Sequence, residues 1–154
     1  MDKILFVCLG NICRSPMAET VMKKTVETEK ENFEIDSCGL ISYHQGEMPD
    51  SRMISAAMKS GYRLSHRARK ITDNDFSYYD LIIGMDKSNV EKLRQLAGKN
   101  RQKIRLISEF FDGSTGYDCV PDPYYGSTED FFTVIKLLEN ACGNLYKYLK
   151  NNEL

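Results

Sequence analysis

The sequence predicts an α/β fold, a four-stranded parallel sheet flanked by helices on both faces. Short apolar runs at residues 3–7, 33–38, 79–85 and 103–107 alternate with stretches of helical period. Runs such as Ile4-Leu5-Phe6-Val7 and Leu81-Ile82-Ile83 show no polar alternation, which marks strands covered on both faces. Strands that alternate with helices pair in parallel through crossovers. Ligands in such sheets sit beyond the carboxyl ends of the strands.

Each element has its own signal. After the first strand, Ser15 and Pro16 suit the N-cap and first position of a helix. Ala18, Val21, Met22, Thr25 and Val26 continue it to about Lys30 at helical spacing. Residues 39–49 form a loop broken by Gly46 and Pro49. Asp50 or Ser51 caps a second helix through Met53, Ile54, Ala57 and Met58, which Gly61 stops. Residues 62–70 are basic and irregular, and Thr72-Asp73-Asn74-Asp75 opens a single helical turn. Ser88-Asn89-Val90-Glu91 has the pattern of a capping box, and Val90, Leu93 and Leu96 continue that helix. Ser127-Thr128-Glu129-Asp130 opens the last helix. Its stripe of Phe131, Ile135, Leu138, Cys142, Leu145 and Leu149 faces the core. Residues 151–154 are expected to fray.

Composition narrows the function. A chain of 154 residues is expected to form one domain, residues 1–154. A net charge of −1 gives no footprint for nucleic acid. No apolar run is long enough for a membrane span, and the first residues enter a strand pattern rather than a signal peptide. Five cysteines without framework spacing fit a reducing cytoplasm better than secretion. Two histidines that do not pair with cysteines at ligand spacing make a metal site unexpected, and no cofactor is implied.

The chemistry gathers in Cys8-Leu9-Gly10-Asn11-Ile12-Cys13-Arg14-Ser15-Pro16, between the first strand and the first helix. A loop wrapped around an anion points successive backbone N–H groups inward. Gly10 and Asn11 are the residue types that most readily take the positive φ such a loop needs. The following helix adds N–H donors and the positive end of its dipole. The planar fork of Arg14 can hold two phosphate oxygens. Cys8, at the base, stands where the same dipoles favour a thiolate nucleophile. Taken singly, Cys8 and Cys13 would be small buried hydrophobes, and Gly10-Asn11 a turn. The complete string after an apolar strand is a functional anion site.

Residues 8–19 resemble the signature of the low-molecular-weight protein tyrosine phosphatases. Asp122-Pro123-Tyr124-Tyr125-Gly126 resembles that family's general-acid loop, in the right order and at a fitting chain length. The resemblance covers essentially the whole chain and implies the Rossmann-like fold of that family. It implies a Cys8 nucleophile, a phosphate held by Arg14 and the amides of residues 9–14, and Asp122 as general acid and then base. Phosphotyrosine proteins or peptides would be the substrates, inorganic phosphate the product, and the enzyme a cytoplasmic monomer.

The resemblance also assigns supporting roles. Ser15 is either a helix cap or a donor to the Cys8 thiolate. Asn11 is either a turn residue or the pin of the loop, with Ser37 and His66 as its partners. Tyr124 and Tyr125 become walls of the substrate cleft, with Tyr43 opposite. Cys13 becomes a trap for oxidised Cys8, with Cys38 as a competing thiol. On residue grounds alone, Asp122 would be a solvated turn residue, Asp118 is its local rival, and His66 would be a surface side chain.

Three other readings are weaker. A thioredoxin-coupled arsenate reductase would need a downstream cysteine pair, and no cysteine lies between Cys38 and Cys119. Arginine phosphatases of this fold typically carry Thr where Ile12 stands. A phosphopeptide-binding module without turnover would gain nothing from Cys8 and Asp122.

Overall fold

The computed structural model describes residues 2–151. Its strands are β1 (Asp2–Cys8), β2 (Phe33–Gly39), β3 (Leu81–Gly84) and β4 (Ile104–Leu106). They form one parallel sheet in the order β2-β1-β3-β4. The helices are α1 (Arg14–Thr25), α2 (Ser51–Lys59), α3 (Asp73–Tyr78), α4 (Lys87–Ala97) and α5 (Thr128–Asn151). The predicted fold class is the one observed.

The unbroken apolar run of β1 has a direct cause. Ile4 pairs with Ile35 on one side and Leu81 on the other, so β1 is central. Its side chains then alternate between two buried faces. Ile4, Phe6 and Cys8 share a cluster with Met17 and Val21 of α1, Met53 of α2 and Leu138 of α5. Leu5 and Val7 share another with Phe76 of α3 and Val90 and Leu93 of α4. Fully burying a side chain of this size contributes about 1.5–3 kcal/mol. The stripe read along α5 is the face buried against the first cluster.

Several boundaries differ from expectation, each for a physical reason. Helix α1 starts at Arg14 rather than after a Ser15 cap, and no side chain caps it. The Ser15 hydroxyl is engaged elsewhere, as described below. The helix closes at Thr25, and a 3-10 segment, Glu27–Asn32, carries the chain on. Helix α4 is capped by Asp86, whose carboxylate accepts from the Asn89 N–H at 2.8 Å, so Ser88 does not cap it. Of the two candidates before α2, Asp50 is the cap, accepting from the Arg52 N–H at 2.8 Å. Asn151 closes α5, and residues 152–154 of the expected frayed end lie outside the described residues.

Strands β1, β2 and β3 end at Cys8, Gly39 and Gly84, so their following loops meet on one edge of the sheet. There Leu40 N–H donates to the Leu9 carbonyl at 2.9 Å, and Ile41 N–H donates to the same oxygen at 3.1 Å. The approach leaves no room at Gly39. A Cβ there would lie 2.8 Å from the Leu9 carbonyl oxygen and 3.1 Å from the Asn11 nitrogen. Both obstacles are backbone, so neither can swing away.

Gly39→Ala is expected to displace the residue 8–15 loop and to destabilise the protein by about 1–3 kcal/mol, read as a lower urea midpoint. An unchanged midpoint would show that the loop yields freely.

Candidate active site

The loop from Cys8 to Ser15 is shaped by where its carbonyls go. Those of Cys8 and Leu9 accept from Leu40 N–H at 3.1 and 2.9 Å. That of Ile12 accepts from Asp50 N–H at 2.8 Å, and that of Cys13 from Met17 N–H at 3.2 Å. No peptide bond among the described residues is cis. In a trans peptide the N–H points opposite to the C=O. Tying these carbonyls outward therefore turns the N–H groups of Leu9, Gly10, Cys13 and Arg14 away from the surrounding chain. Such a ring of inward amides is an anion cradle.

Asn11 alone among the described non-glycine residues has positive φ, at 59°. Its buried side chain makes four hydrogen bonds. Nδ2 donates to Ser15 Oγ at 2.8 Å and to Ser37 Oγ at 3.1 Å. Oδ1 accepts from Arg69 N–H at 3.0 Å and faces His66 Nε2 at 2.8 Å. Asn11, Ser15, Ser37 and His66 are thus brought together, and the amide's hydrogen-bonding capacity is filled. Gly10 departs from expectation, since its φ is not positive. Its lack of a Cβ accommodates His44 instead, whose Cδ2 would stand 3.0 Å from one.

Cys8 is 3 % exposed, and its Sγ lies 3.0 Å from Ser15 Oγ. The same hydroxyl is 3.3 Å from the Cys38 carbonyl oxygen. One hydroxyl proton serves either acceptor, and a thiolate is the stronger claimant. Arg14, at 3 % exposure, sends Nη1 to Asp86 Oδ2 at 2.7 Å and to the Val120 carbonyl at 3.0 Å. Its Nη2 is 3.8 Å from Asp122 Oδ2. Burial opposes the guanidinium charge, but Cys8, Asp86 and Asp122 outweigh it and raise its pKa. Nothing in the sequence around Asp86 announces this contact with Arg14.

These groups open on a cleft of about 330 Å³. Cys8, Cys13, Arg14 and Asp122 line it, with Tyr43 and Tyr124 among its walls. Tyr124 and Tyr125 meet edge to face at 4.9 Å between centroids. Tyr125 is 96 % exposed and Tyr43 80 %, so both rings stand up at the rim. Asp118 is outside this lining and pairs with Lys87 at 3.6 Å.

Sequence reasoning missed several neighbours. His44 and Ile41 line the cleft. Arg52 grips Asp50 through both carboxylate oxygens, at 3.1 and 2.8 Å. Its guanidinium lies 5.4 Å from the Tyr124 ring and 4.8 Å from that of Phe131. It so ties the start of α2 to the Asp122 loop, a cation–π arrangement no local pattern announces.

The other cysteines sort by face. Cys13 packs in the cluster that holds Cys8, and Cys38 in the opposite one with Leu5 and Val7. Strand alternation, with Cys38 in register with Val7, points Cys38 to the face of the sheet opposite Cys8. Burial, then Asp50, pushes the Cys13 thiol pKa up, and burial does the same at Cys38.

One trio among the described residues, Glu19, Asp36 and His66, holds metal-type ligand atoms within 4.8 Å of each other. Those carboxylates are already taken up. Lys23 donates to Glu19 at 2.6 Å, Ser37 to Glu19 at 2.6 Å, and Arg69 to Asp36 at 3.0 Å. Among the described residues no helix is long and apolar enough to cross a membrane.

Comparison with known proteins agrees with this geometry. Residues 3–154 match the family model described as low molecular weight phosphotyrosine protein phosphatase. The low molecular weight phosphotyrosine protein phosphatase of Schizosaccharomyces pombe is 42 % identical over 136 residues, which cover 84 % of this chain and 85 % of that one. A crystal structure of a protein tyrosine phosphatase from Entamoeba histolytica superposes with a TM-score of 0.96 at 41 % identity, covering 100 % of both chains. A Drosophila arginine phosphatase superposes with a TM-score of 0.87 at 29 % identity, over 98 % of this chain and 99 % of that one. With a match across nearly its whole length, and relatives at this identity, the chain belongs to the low molecular weight phosphotyrosine protein phosphatase family.

Proposed function

We propose that this phosphatase, acting as one monomeric domain in the cytoplasm, hydrolyses phosphotyrosine through a phosphocysteine intermediate. Cys8 Sγ attacks phosphorus, and the bond to the tyrosyl oxygen breaks as the S–P bond forms. Inward amides of the loop and Arg14 hold the equatorial oxygens as charge spreads over them. Asp122 gives its proton to the departing phenolate. It then takes a proton from the water that attacks the phosphocysteine, releasing inorganic phosphate and the Cys8 thiolate. Ser15 Oγ, 3.0 Å from Sγ, eases that departure by donating to the sulfur.

The observation that carries this reading is the placement of Asp122. It faces Arg14 Nη2 at 3.8 Å across the same cleft as Cys8, and Asp118 does not line that cleft. Tyr124 N–H donates to Asp122 Oδ1 at 3.0 Å, which leaves Oδ2 on the Arg14 side. The aromatic rim of Tyr43, Tyr124 and Tyr125 supports a long aryl phosphate over a short phosphoserine. The greater identity to phosphotyrosine phosphatases than to the Drosophila arginine phosphatase supports the same preference.

We further propose redox control of the same thiol. Peroxide oxidises the Cys8 thiolate to a sulfenic acid, and the Cys13 thiolate attacks that sulfur. The hydroxyl leaves as water after taking up a proton, and a Cys8–Cys13 disulfide remains for an external thiol to reduce. Both side chains belong to one cluster beside the cleft.

Two experiments test these readings. Hydrolysis of a phosphotyrosine peptide should vanish in Cys8→Ser and fall about 10²–10⁴-fold in Asp122→Asn, with little change in Asp118→Asn. Turnover in Cys8→Ser, or a larger loss in Asp118→Asn, contradicts the assignments, and a preference for phosphoarginine peptides moves the protein to the other substrate class.

Peroxide inactivation should be reversed by added thiol in the parent but not in Cys13→Ser. Because the Cys13 thiol pKa is raised, only a small fraction is thiolate near neutrality, and that fraction grows with pH. Disulfide closure, followed by mass spectrometry, is therefore expected to accelerate about tenfold per pH unit across the neutral range. Closure that slows with rising pH, or equal recovery in both proteins, removes Cys13 from the cycle.

A further inference from the structure

Away from the cleft, α1 and the start of β2 border an open groove of about 500 Å³. Lys23, Lys24, Lys30 and Arg63 line it, all exposed, against the single carboxylate of Glu27. Val26, Phe33 and Ile35 give it an apolar floor, each 9 % exposed or less. A chain with net charge −1 thus concentrates positive charge here. Lys24 is held in place, its Nζ donating to the Gly61 carbonyl at 3.1 Å and lying 4.9 Å from the Tyr62 ring.

The groove is wired to the phosphate loop. Lys23, with its side chain 55 % exposed, donates to Glu19 Oε2 at 2.6 Å. Glu19 is 7 % exposed, and its Oε1 accepts from Ser37 Oγ at 2.6 Å and lies 3.1 Å from His66 Nδ1. Ser37 and His66 each bond the Asn11 side chain, at 3.1 and 2.8 Å. One continuous line of hydrogen bonds therefore runs from a solvent-facing ammonium to the residue that fixes the loop. Lys23 is the exposed cation that balances the buried Glu19 carboxylate. Drawing it off leaves that carboxylate to Ser37 and His66 alone and shifts the balance of forces on Asn11.

We propose that the groove is a docking surface for an acidic peptide segment, and that its occupancy is communicated to Asn11 through Lys23 and Glu19. The chemistry selects this occupant. The cations are spread over α1, the 3-10 segment after it and the chain after α2, with apolar side chains between them. An extended segment that alternates carboxylates with apolar residues meets both the cations and the apolar floor, and a lone phosphate has nothing to offer the floor. Carboxylates of the segment compete with Glu19 for Lys23, so docking loosens the loop and lowers turnover.

The probe is a synthetic peptide alternating glutamate and leucine, without tyrosine, titrated calorimetrically into the full chain. Binding is expected in the parent and about tenfold weaker in the double variant Lys30→Glu with Arg63→Glu. Neither residue belongs to the hydrogen-bonded line, so basal activity stays. In the parent the peptide lowers kcat on p-nitrophenyl phosphate about fivefold without raising KM, the lower end of site-to-site coupling. In the double variant that effect is lost at the same peptide concentration. A control reversal elsewhere, Lys92→Glu with Lys99→Glu, changes net charge equally and should leave binding intact. Equal weakening in the control, or unchanged binding in the groove variant, overturns the docking site. Inhibition that only raises KM places the peptide in the active cleft and overturns it as well. Binding with kcat unchanged overturns the communication to Asn11.

Discussion

The side chain of Asn11 is the constraint on which the site depends. A left-handed residue in the middle of an anion loop is strained unless its surroundings hold it there. Here four hydrogen bonds do so, from Ser15, Ser37, His66 and the Arg69 backbone. They come from α1, from β2 and from the irregular chain after α2. The loop conformation is therefore a property of three elements at once. Preorganised dipoles of this kind need no rearrangement as charge develops, which is where their catalytic advantage lies.

Charge is balanced around Arg14 in the same way. Its guanidinium is buried, which is tolerable only with partners. Asp86 and the Val120 carbonyl take one nitrogen, and Asp122 stands off the other at a longer distance. The firm contact fixes the plane of the fork, and the other nitrogen keeps only the longer contact with Asp122. Asp86 caps α4 with one carboxylate oxygen and holds Arg14 with the other. A single side chain thereby sets the position of a helix and of the Arg14 guanidinium.

Much of this was legible in the sequence, for identifiable reasons. The unbroken apolar strands reported a two-sided sheet because burial on both faces removes polar alternation. The Cys8–Arg14 string reported the loop because few residue types satisfy its backbone geometry. Ser37 and His66 were legible only through family resemblance, since nothing local in either distinguishes a loop partner from an ordinary side chain. Asp86, His44 and Arg52 escaped because their roles arise from contacts between segments far apart in the chain. Ser15 was read as a helix cap or as a donor to Cys8; its hydroxyl stands beside Cys8 and Asn11, and no side chain caps α1. For Cys38 the register with Val7 places the side chain on the face of the sheet opposite Cys8.

The partnership of α1 with α5 has a consequence for how the molecule comes into being. Cys8 precedes α1, and Asp122 lies just before α5. Met17 and Val21 of α1 are buried with Phe131, Leu138 and Cys142 of α5. While the chain emerges from a ribosome, the loop and its Asn11 partners are all made before that covering helix exists. Until α5 is made, the face of α1 that buries Met17 and Val21 against it is bare. Addition of that helix closes the core over the face of the sheet that carries Cys8.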